Sequence, residues 1–295
     1  MKINAKRAFV FTDSHFGARS NSNEWLELIL KYFYEDFLPT IKKEYKKGDI
    51  LLHCGDFFDN RQSINLSVLY EAIKLMEEFS SIFEDGVYLM VGNHDIFKKT
   101  SNEITSLDTF KYIPRVKIIK STEILELESK NIMLMPWQSS TELEAAEIEK
   151  FKKFSPEYLF CHTDIKTFEF DKKRKIEEGL DPILLTDFKK VYTGHIHTSQ
   201  RRKNITILGN SYQMTRSDSN NKKGFYLIDF ENDKEIFFEN KTSPKFIRVY
   251  LHNFLEKPIN NLISICKNNK VDLYIDSGLL KYQIQIAKIV DTLSK

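Results

Sequence analysis

Five short motifs contain the residue types that bind divalent cations, and they are the chemically informative part of this 295-residue sequence. They are Asp13-Ser14-His15, Gly55-Asp56, Gly92-Asn93-His94-Asp95, Cys161-His162 and Gly194-His195-Ile196-His197. The chain has seven histidines, and five of them lie inside these motifs. Histidines that only filled a core would be scattered, so this clustering indicates one shared site.

The donor atoms in these motifs are nitrogen and oxygen, with no thiolate, which suits manganese, iron or zinc. Residues two positions apart, such as Asp13 and His15, can turn toward one ion after a strand ends, and Asp56 can bridge two ions. His195 and His197 can divide between two neighbouring ions. We predict two divalent metal ions; the donors leave manganese, iron and zinc open, with magnesium as a further alternative. The predicted ligands are Asp13, His15, Asp56, Asn93, His162, His195 and His197.

Two divalent ions would carry four positive charges, and Asp13, Asp56 and a bridging hydroxide would remove three. The remaining positive charge attracts a phosphate and stabilises displacement at phosphorus. His94 is the histidine left over, and we predict that it donates a proton to the leaving oxygen. Asp59 is expected to reach His94 and hold its imidazolium form near neutrality.

Each motif taken singly has an ordinary structural explanation. Asp-x-His is usually a surface turn, Gly-Asn-His-Asp is also typical of a loop with a helix cap, and Gly-His-x-His alone is a weak metal signal. Their joint occurrence, nearly always after a strand-like run, favours the metal site. Cys54 and Cys161 are interpreted as core residues, and His53 and His252 as structural or exposed.

Strand-like and helix-like runs alternate along the chain. Short β-branched or aromatic runs cover residues 8–12, 50–54, 87–91, 132–135, 158–161 and 191–193. Apolar residues recur at helical spacing in residues 25–37, 66–83 and 143–154. This alternation predicts an α/β fold, with the motifs at the carboxyl ends of strands, where ligands collect in open sheets.

Three closely spaced strand-like runs occupy residues 205–240, and they predict antiparallel closure of a second sheet. Residues 242–244 have the composition of a hinge. We therefore expect a main domain over residues 1–243 and a small C-terminal α+β domain over residues 244–295.

The 44 basic and 42 acidic side chains nearly cancel, so affinity for a polyanion would have to come from local patches. Arg61 is one candidate, with ordinary ion pairing as the alternative. The others lie in two basic stretches for which a solvated loop is the alternative: Lys172, Lys173, Arg174, Lys175, Arg201, Arg202 and Lys203.

The three cysteines are odd in number and far apart, which favours a reducing compartment over a disulfide framework. The apolar stretch near the N-terminus is too short for a signal peptide or a membrane span. These features predict a soluble, cytoplasmic protein.

The segments FTDSHFG, CGDFFDNR, GNHD, CHTD and GHIHT resemble the five signature blocks of the calcineurin-like metallophosphoesterases. The resemblance implies a four-layer α/β/β/α sandwich. It also implies one metal on Asp13, His15, Asp56 and His197, a second on Asp56, Asn93, His162 and His195, and His94 as the catalytic histidine.

Three further blocks resemble the SbcD-type DNA-repair nucleases and their phage counterparts: Met135-Pro136-Trp137, Ile207-Leu208-Gly209-Asn210-Ser211 and Lys223-Gly224-Phe225. This similarity spans residues 7 to about 240. It implies a manganese-dependent DNA exonuclease and endonuclease subunit, active in DNA repair or recombination in a bacterial cell or a phage-infected host. An SMC-like coiled-coil ATPase of the SbcC type would be its partner. Residues 1–243 would form the nuclease domain and residues 244–295 a capping-like domain.

The sequence departs from that subfamily at two positions. Asp59 stands where many SbcD-type nucleases have histidine. Tyr212 stands where those nucleases usually have a proline, directly after the Gly-x-Ser turn. The segment after Ser243 is also short beside the family's capping domain and ATPase-binding helices. Relatives pair through helices near the second motif, so a homodimer through residues 66–83 or 104–112 is a further expectation, although an apolar helix face is more often core.

Two other functions stay open at this point. A phosphatase or small-molecule phosphodiesterase on the same fold is favoured by Asp59 and by the near-neutral charge. A non-catalytic subunit that only binds a partner is the third hypothesis, but the predicted ligand set is complete.

Overall fold

The computed structural model describes residues 1–128, 130–171, 174–254, 259–267, 269–282, 286–288, 290 and 291. The strands are β1 (Arg7–Phe11), β2 (Ile50–His53), β3 (Val87–Met90), β4 (Ile96–Lys98), β5 (Ser101–Thr105), β6 (Val116–Ile119), β7 (Glu123–Glu126), β8 (Asn131–Met135), β9 (Tyr158–His162), β10 (Glu169–Asp171), β11 (Arg174–Lys175), β12 (Lys190–Gly194), β13 (Gln200–Arg202), β14 (Ile205–Ile207), β15 (Gly224–Asp229), β16 (Lys234–Glu239), β17 (Phe246–Tyr250) and β18 (Lys270–Tyr274).

The α-helices are Asn23–Tyr32, Leu38–Glu44, Leu66–Ile82, Thr141–Phe151 and Ile259–Cys266, beside the short helical turn Ala18–Asn21. The π-helical turn Phe33–Phe37 joins the first two. Short 3-10 segments are Ser106–Phe110, Lys152–Phe154, Pro182–Leu185, Arg216–Asp218, Leu251–Phe254 and Ser277–Tyr282. None of the helices in the described ranges has the length and apolar character needed to cross a membrane.

Serine side chains begin two of these helices. The Ser22 side chain accepts a hydrogen bond from the main-chain nitrogen of Trp25, and the Ser140 side chain accepts one from that of Leu143. Each satisfies an amide that the first helical turn leaves without a partner.

The first sheet has the strand order β16-β15-β1-β2-β3-β6. Strands β1, β2, β3 and β6 are parallel, while β15 is antiparallel to both β1 and β16. The expectation that residues 205–240 close the second sheet together is therefore wrong in part. β15 and β16 extend the first sheet because β15 pairs with β1, and only β14 belongs to the second sheet.

The second sheet has the order β13-β14-β12-β9-β8-β7. Its inner strands β14, β12, β9 and β8 are parallel, and the edge strands β13 and β7 are antiparallel to their neighbours. Two-stranded ribbons form from β4 with β5, β10 with β11, and β17 with β18.

The two sheets pack face to face, and helices cover their outer faces. In β1, Ala8 and Val10 join Tyr158 and other second-sheet residues in one buried cluster. The alternate residue Phe11 lies on the other face, where its ring is 5.9 Å from the ring of Phe33. Such alternation is what a strand between two apolar layers requires. A second cluster between the second sheet and the helix Thr141–Phe151 includes Ile148, so the predicted four-layer sandwich is confirmed.

The chain forms two compact units, Met1–Tyr212 with Lys222–Thr242, and Gln213–Asn221 with Ser243–Lys295. In the second unit, β17 and β18 are parallel and pack with Leu262 around a small core. The Arg216 side chain lies 2.8 Å from the Asp272 carboxylate. The assignment of residues 1–243 to a nuclease domain and residues 244–295 to a capping-like domain stays a prediction.

Candidate metal centre

The predicted ligands follow five parallel strands at the same edges of the two sheets. Neighbouring strands β1, β2 and β3 precede the first three motifs, and the neighbours β9 and β12 end in the last two. The backbone turns sharply after several of these strands. Asp13, His15, Asp56 and His195 all have positive φ, between 44° and 77°, which is uncommon outside glycine and clusters at functional sites.

Glycines allow the motif loops to approach one another closely. A Cβ atom on Gly55 would lie 2.3 Å from Nδ1 of His162, and one on Gly92 would lie 2.2 Å from Oδ1 of Asp56. Real side chains do not tolerate such distances. The two glycines are therefore required for the ligands to converge.

Asp13, His15 and His197 form the first group of converging donors. The Nε2 atoms of His15 and His197 lie 3.0 Å apart, and each lies 3.8 Å from Oδ1 of Asp13. The nearest point equidistant from these three atoms is about 2.1 Å from each, which is within the roughly 2.0–2.2 Å of zinc bonds to nitrogen and oxygen. Oδ1 of Asp13 is also fully buried without a hydrogen-bond partner among the described residues. The group therefore fits a divalent cation.

Asp56, His162 and His195 form the second group. Nε2 of His162 lies 3.2 Å from Oδ2 of Asp56 and 3.1 Å from Oδ1 of Asn93. Asp56 also interacts electrostatically with His15 of the first group. All seven sequence-predicted ligands are thus brought together in two adjacent groups.

The Nδ1 atoms of His15 and His162 lie beside oxygen acceptors, which leaves the Nε2 atoms available for a cation. Nδ1 of His162 lies 2.7 Å from the carbonyl oxygen of Cys54, and Nδ1 of His15 lies 3.1 Å from Oδ1 of Asp59. Metal-binding histidines commonly donate their second nitrogen to a carbonyl or a carboxylate. In both residues Nε2 is then the atom that faces the converging donors.

The charges in the centre favour the ionised forms of four groups, namely His15, His162, Asp13 and Asp56. Burial lowers the pKa of His15, but the neighbouring carboxylates of Asp13 and Asp59 outweigh this effect and raise the pKa to about 10. Burial likewise opposes the charge of His162, yet the nearby Asp56 raises its pKa to about 9. Burial raises the pKa of Asp13 and Asp56, but the neighbouring histidines hold both below the usual range. The buried carboxylates thus attract positive charge, which protons or metal ions can supply.

His94 lies beside the first group, with its ring 5.0 Å from the ring of His15. Its Nδ1 atom lies 2.6 Å from the main-chain carbonyl oxygen of Asp59. The predicted partner residue is therefore present, but the hydrogen bond uses the main chain and not the carboxylate. The main-chain nitrogen of Asp59 donates to Phe16, and the carboxylate contacts His15.

Asp95 supports the centre, although the sequence interpretation assigned it no role. Its carboxylate accepts hydrogen bonds from the main-chain nitrogens of Asp56, Phe57, Phe58 and Gly92. It thereby joins the loop after β2 to the loop after β3. The signal was present in the sequence, since an acid follows His94 directly and a buried carboxylate needs several donors.

Trp137 and Tyr212 also contact the centre or its loops. The Trp137 ring lies 5.1 Å from the ring of His195. The hydroxyl of Tyr212, which stands in place of the usual proline, donates to the carbonyl oxygen of Ser14. Tyr212 is 3% exposed, so this departure from the family pattern supports the loop that carries Asp13 and His15.

The predicted DNA-contacting residues have mixed surroundings. Arg61 is half-buried. The Arg201 guanidinium forms an ion pair with Glu235, and Arg202 donates to the carbonyl oxygen of Thr167 at 2.6 Å. The remaining candidates are exposed (Arg174, Lys175 and Lys203) or lie outside the described residues (Lys172 and Lys173). Their role in DNA binding stays a prediction.

Comparison with known proteins agrees with this site. The calcineurin-like phosphoesterase family model matches residues 6–276. Exonuclease subunit 1 of Enterobacteria phage T4 is 24% identical over 291 residues, which cover 95% of this chain and 81% of that protein.

Two similar solved structures have low scores. A protein of unknown function from Aquifex aeolicus has a TM-score of 0.35 and 20% identity, with 53% of this chain and 79% of that chain covered. An archaeal phosphodiesterase has a TM-score of 0.39 and 11% identity, with 79% and 99% covered. The family match spans most of the sequence and includes every motif of the metal centre. The chain therefore belongs to the calcineurin-like phosphoesterase family.

Proposed function

We propose that this protein is a two-metal-dependent DNA nuclease that hydrolyses phosphodiester bonds. The observation that carries the proposal is the convergence of Asp13, His15 and His197 on one side and Asp56, His162 and His195 on the other. Family membership supports phosphoester hydrolysis, and the relative named as an exonuclease subunit supports DNA as the substrate.

The first ion would be held by Asp13, His15 and His197, and the second by Asn93, His162 and His195, with Asp56 shared between the two. Two such ions, with manganese preferred, would neutralise charge on a phosphoryl group and lower the pKa of water. The protein's own contribution is to orient these donors through the acceptors behind them, namely Asp59 for His15 and the Cys54 carbonyl for His162.

His94 would act as the proton donor to the leaving oxygen. A carbonyl oxygen can only accept a hydrogen bond, so the 2.6 Å contact with Asp59 assigns a hydrogen to Nδ1 of His94. Nε2 is then the nitrogen at which a proton can be held and transferred. The fixed ring orientation places this role on one atom, as general acid catalysis requires.

The biological setting proposed here follows from the resemblance to the phage exonuclease subunit. The protein would work in DNA repair or recombination, in the cytoplasm of a bacterium or of a phage-infected host. An SMC-like coiled-coil ATPase would be its partner. A homodimer through residues 66–83 or 104–112 is consistent with the exposed side chains of Leu66, Tyr70 and Tyr112.

A cleavage assay tests the proposed function directly. Purified protein with manganese is given single-stranded DNA, double-stranded DNA and p-nitrophenyl phosphate in parallel, with and without a candidate ATPase. We expect manganese-dependent DNA cleavage that exceeds monoester turnover and that EDTA abolishes. Monoester turnover without DNA cleavage would instead support a phosphatase or a small-molecule phosphodiesterase.

The phosphatase or small-molecule phosphodiesterase function is favoured by the charge of the protein. Arg201 is already neutralised by Glu235, and the whole chain has a net charge of only +2, so the positive field available to a long polyanion is small. A non-catalytic subunit is a third hypothesis. It would gain support if the protein bound two metals but cleaved no phosphoester, even with its ATPase.

A further inference from the structure

Asp164 contacts the metal centre from outside the two groups of converging donors. Its Oδ2 atom lies 3.3 Å from Nε2 of His195. The second group itself consists of Asp56, His162 and His195. Asp164 therefore contacts the imidazole of a predicted ligand without being one of the predicted ligands itself.

The carboxylate of Asp164 has a buried oxygen that calls for an explanation. Oδ1 is shielded from solvent and makes no hydrogen bond with the described part of the chain. A buried acceptor without a partner destabilises the folded protein. A carboxylate with an unpaired buried oxygen calls for a function, and the contact of its Oδ2 atom with His195 would supply one.

The main chain around Asp164 is held in place by a close approach of Gly179. The carbonyl oxygen of Asp164 accepts a hydrogen bond of 2.9 Å from the main-chain nitrogen of Leu180. Gly179 has a φ of 144°, and a Cβ atom there would lie 2.7 Å from the same carbonyl oxygen. The fold therefore fixes the main chain from which the Asp164 carboxylate extends.

The His195 ring has a second neighbour, because the ring of Trp137 lies 5.1 Å from it at an angle of 44°. The carboxylate on Nε2 and the indole ring together restrict rotation of the imidazole. With Nε2 engaged by Asp164, Nδ1 is the nitrogen left for a cation. A carboxylate behind a metal-binding histidine fixes its tautomer and increases its basicity.

We propose that Asp164 is a positioning residue that orients His195 through Nε2 and thereby strengthens binding of the second divalent cation. This inference rests on the metal centre of the proposed function but not on DNA as the substrate. Acceptors of this kind typically change metal affinity 10–100-fold. The effect should be confined to the second ion, because Asp164 contacts His195 and the first ion has its own carboxylate in Asp59.

Manganese titration of the full chain tests the proposal without measuring catalysis. Calorimetry would give stoichiometry and affinities for wild type, Asp164→Ala and Asp164→Asn, and electron paramagnetic resonance would detect the exchange-coupled pair. We expect Asp164→Ala to bind one manganese with unchanged affinity and the second about 10–100-fold more weakly. Its spectrum at two equivalents should be dominated by uncoupled manganese. Asp164→Asn keeps an acceptor oxygen, so its affinity for the second manganese should lie between those of the wild type and Asp164→Ala.

The control is Asp187→Ala, which removes an exposed carboxylate that pairs with Lys152 and should leave both affinities unchanged. Circular dichroism in EDTA establishes that each variant is folded, and Asp164→Asn provides the measurement if Asp164→Ala is not. Two manganese ions bound with wild-type affinities in a folded Asp164→Ala protein would overturn the proposal, as would equal weakening of both ions. Failure of the wild type to bind two ions would instead overturn the proposed metal centre.

Discussion

Nδ1 of His94 lies 2.6 Å from the main-chain carbonyl oxygen of Asp59. The sequence assigned the support of His94 to the Asp59 side chain, whereas the structure assigns it to the main chain at that position. The orientation of His94 depends on the backbone at position 59, while the carboxylate at the same position lies 3.1 Å from Nδ1 of His15. Substitutions at the two residues should therefore have different consequences.

His94→Ala should remove the proton donor without removing a predicted metal ligand. We expect phosphodiester hydrolysis to fall by about 10²–10⁴-fold, while manganese stoichiometry stays at the wild-type value. Hydrolysis of bis-p-nitrophenyl phosphate and calorimetric titration with manganese measure the two properties. An unchanged rate would contradict the assigned role, and loss of a metal would show that His94 is a ligand.

Asp59→Asn should chiefly weaken the first metal site. The main-chain carbonyl that holds His94 remains, so the rate at saturating manganese should fall much less than in His94→Ala. The weaker acceptor behind His15 should reduce affinity for one manganese by about 10–100-fold. A rate as low as that of His94→Ala at saturating metal would show that the carboxylate itself acts on His94.

Manganese binding should strengthen as pH rises. The pKa values of His15 (about 10) and His162 (about 9) lie above the ordinary histidine value, so both are protonated near neutrality in the metal-free protein and a cation must displace these protons. Calorimetry at pH 7.5 in buffers of different ionisation enthalpy should detect release of about two protons. The absence of proton release would refute this account.

Stability of the metal-free protein should depend on pH in the opposite sense. A raised histidine pKa in the folded state stabilises the fold fully below the unfolded pKa of about 6.5, and that stabilisation is lost as pH rises through about 9 and 10. In EDTA, thermal unfolding should therefore occur at lower temperature as pH increases over this range. Saturating manganese should reduce the dependence, because the cation replaces the protons.

Asp95→Ala should destabilise the fold and the metal centre together. It removes the acceptor for four buried main-chain amides, including those of Asp56 and Gly92. Unpaired amides cost about 1–3 kcal/mol each, so a loss of at least roughly 4 kcal/mol is expected for the four, or about 8–16 °C in melting temperature. Differential scanning calorimetry compares it with Glu178→Ala, an exposed acid whose removal should have little effect.

Gly92→Ala should abolish metal binding, because the added Cβ would lie 2.2 Å from Oδ1 and 2.3 Å from the main-chain nitrogen of Asp56. Gly278→Ala is the matched control, since its Cβ would meet nothing within 4 Å. Manganese titration of both proteins measures the difference. Normal metal stoichiometry in Gly92→Ala would show that the loop after β2 can move away from the loop after β3.

Much of the metal centre could be predicted from local sequence. The donor types at Asp13, Asp56 and His162 limit the chemistry to hard or borderline cations, and the strand-like run before each motif predicts a position at a sheet edge. Parallel strands bring such edges together whatever the intervening helices contain. The convergence of the seven donors therefore follows from short-range patterns.

Other features depended on pairings that local patterns do not specify. β15 joins the first sheet by pairing with β1, where Asp229 lies opposite Arg7. Nothing near residue 229 encodes that partner, since strand pairing is chosen by the packing of whole faces. Local patterns also do not specify which group contacts the second oxygen or nitrogen of each metal ligand. Sequence determined which side chains can bind a cation, but only the tertiary structure decided that Asp59 contacts His15 and that Asp164 contacts His195. Those contacts depend on where separate loops place atoms within a few ångströms of each other, which is set by long-range packing and not by the order of residues along the chain.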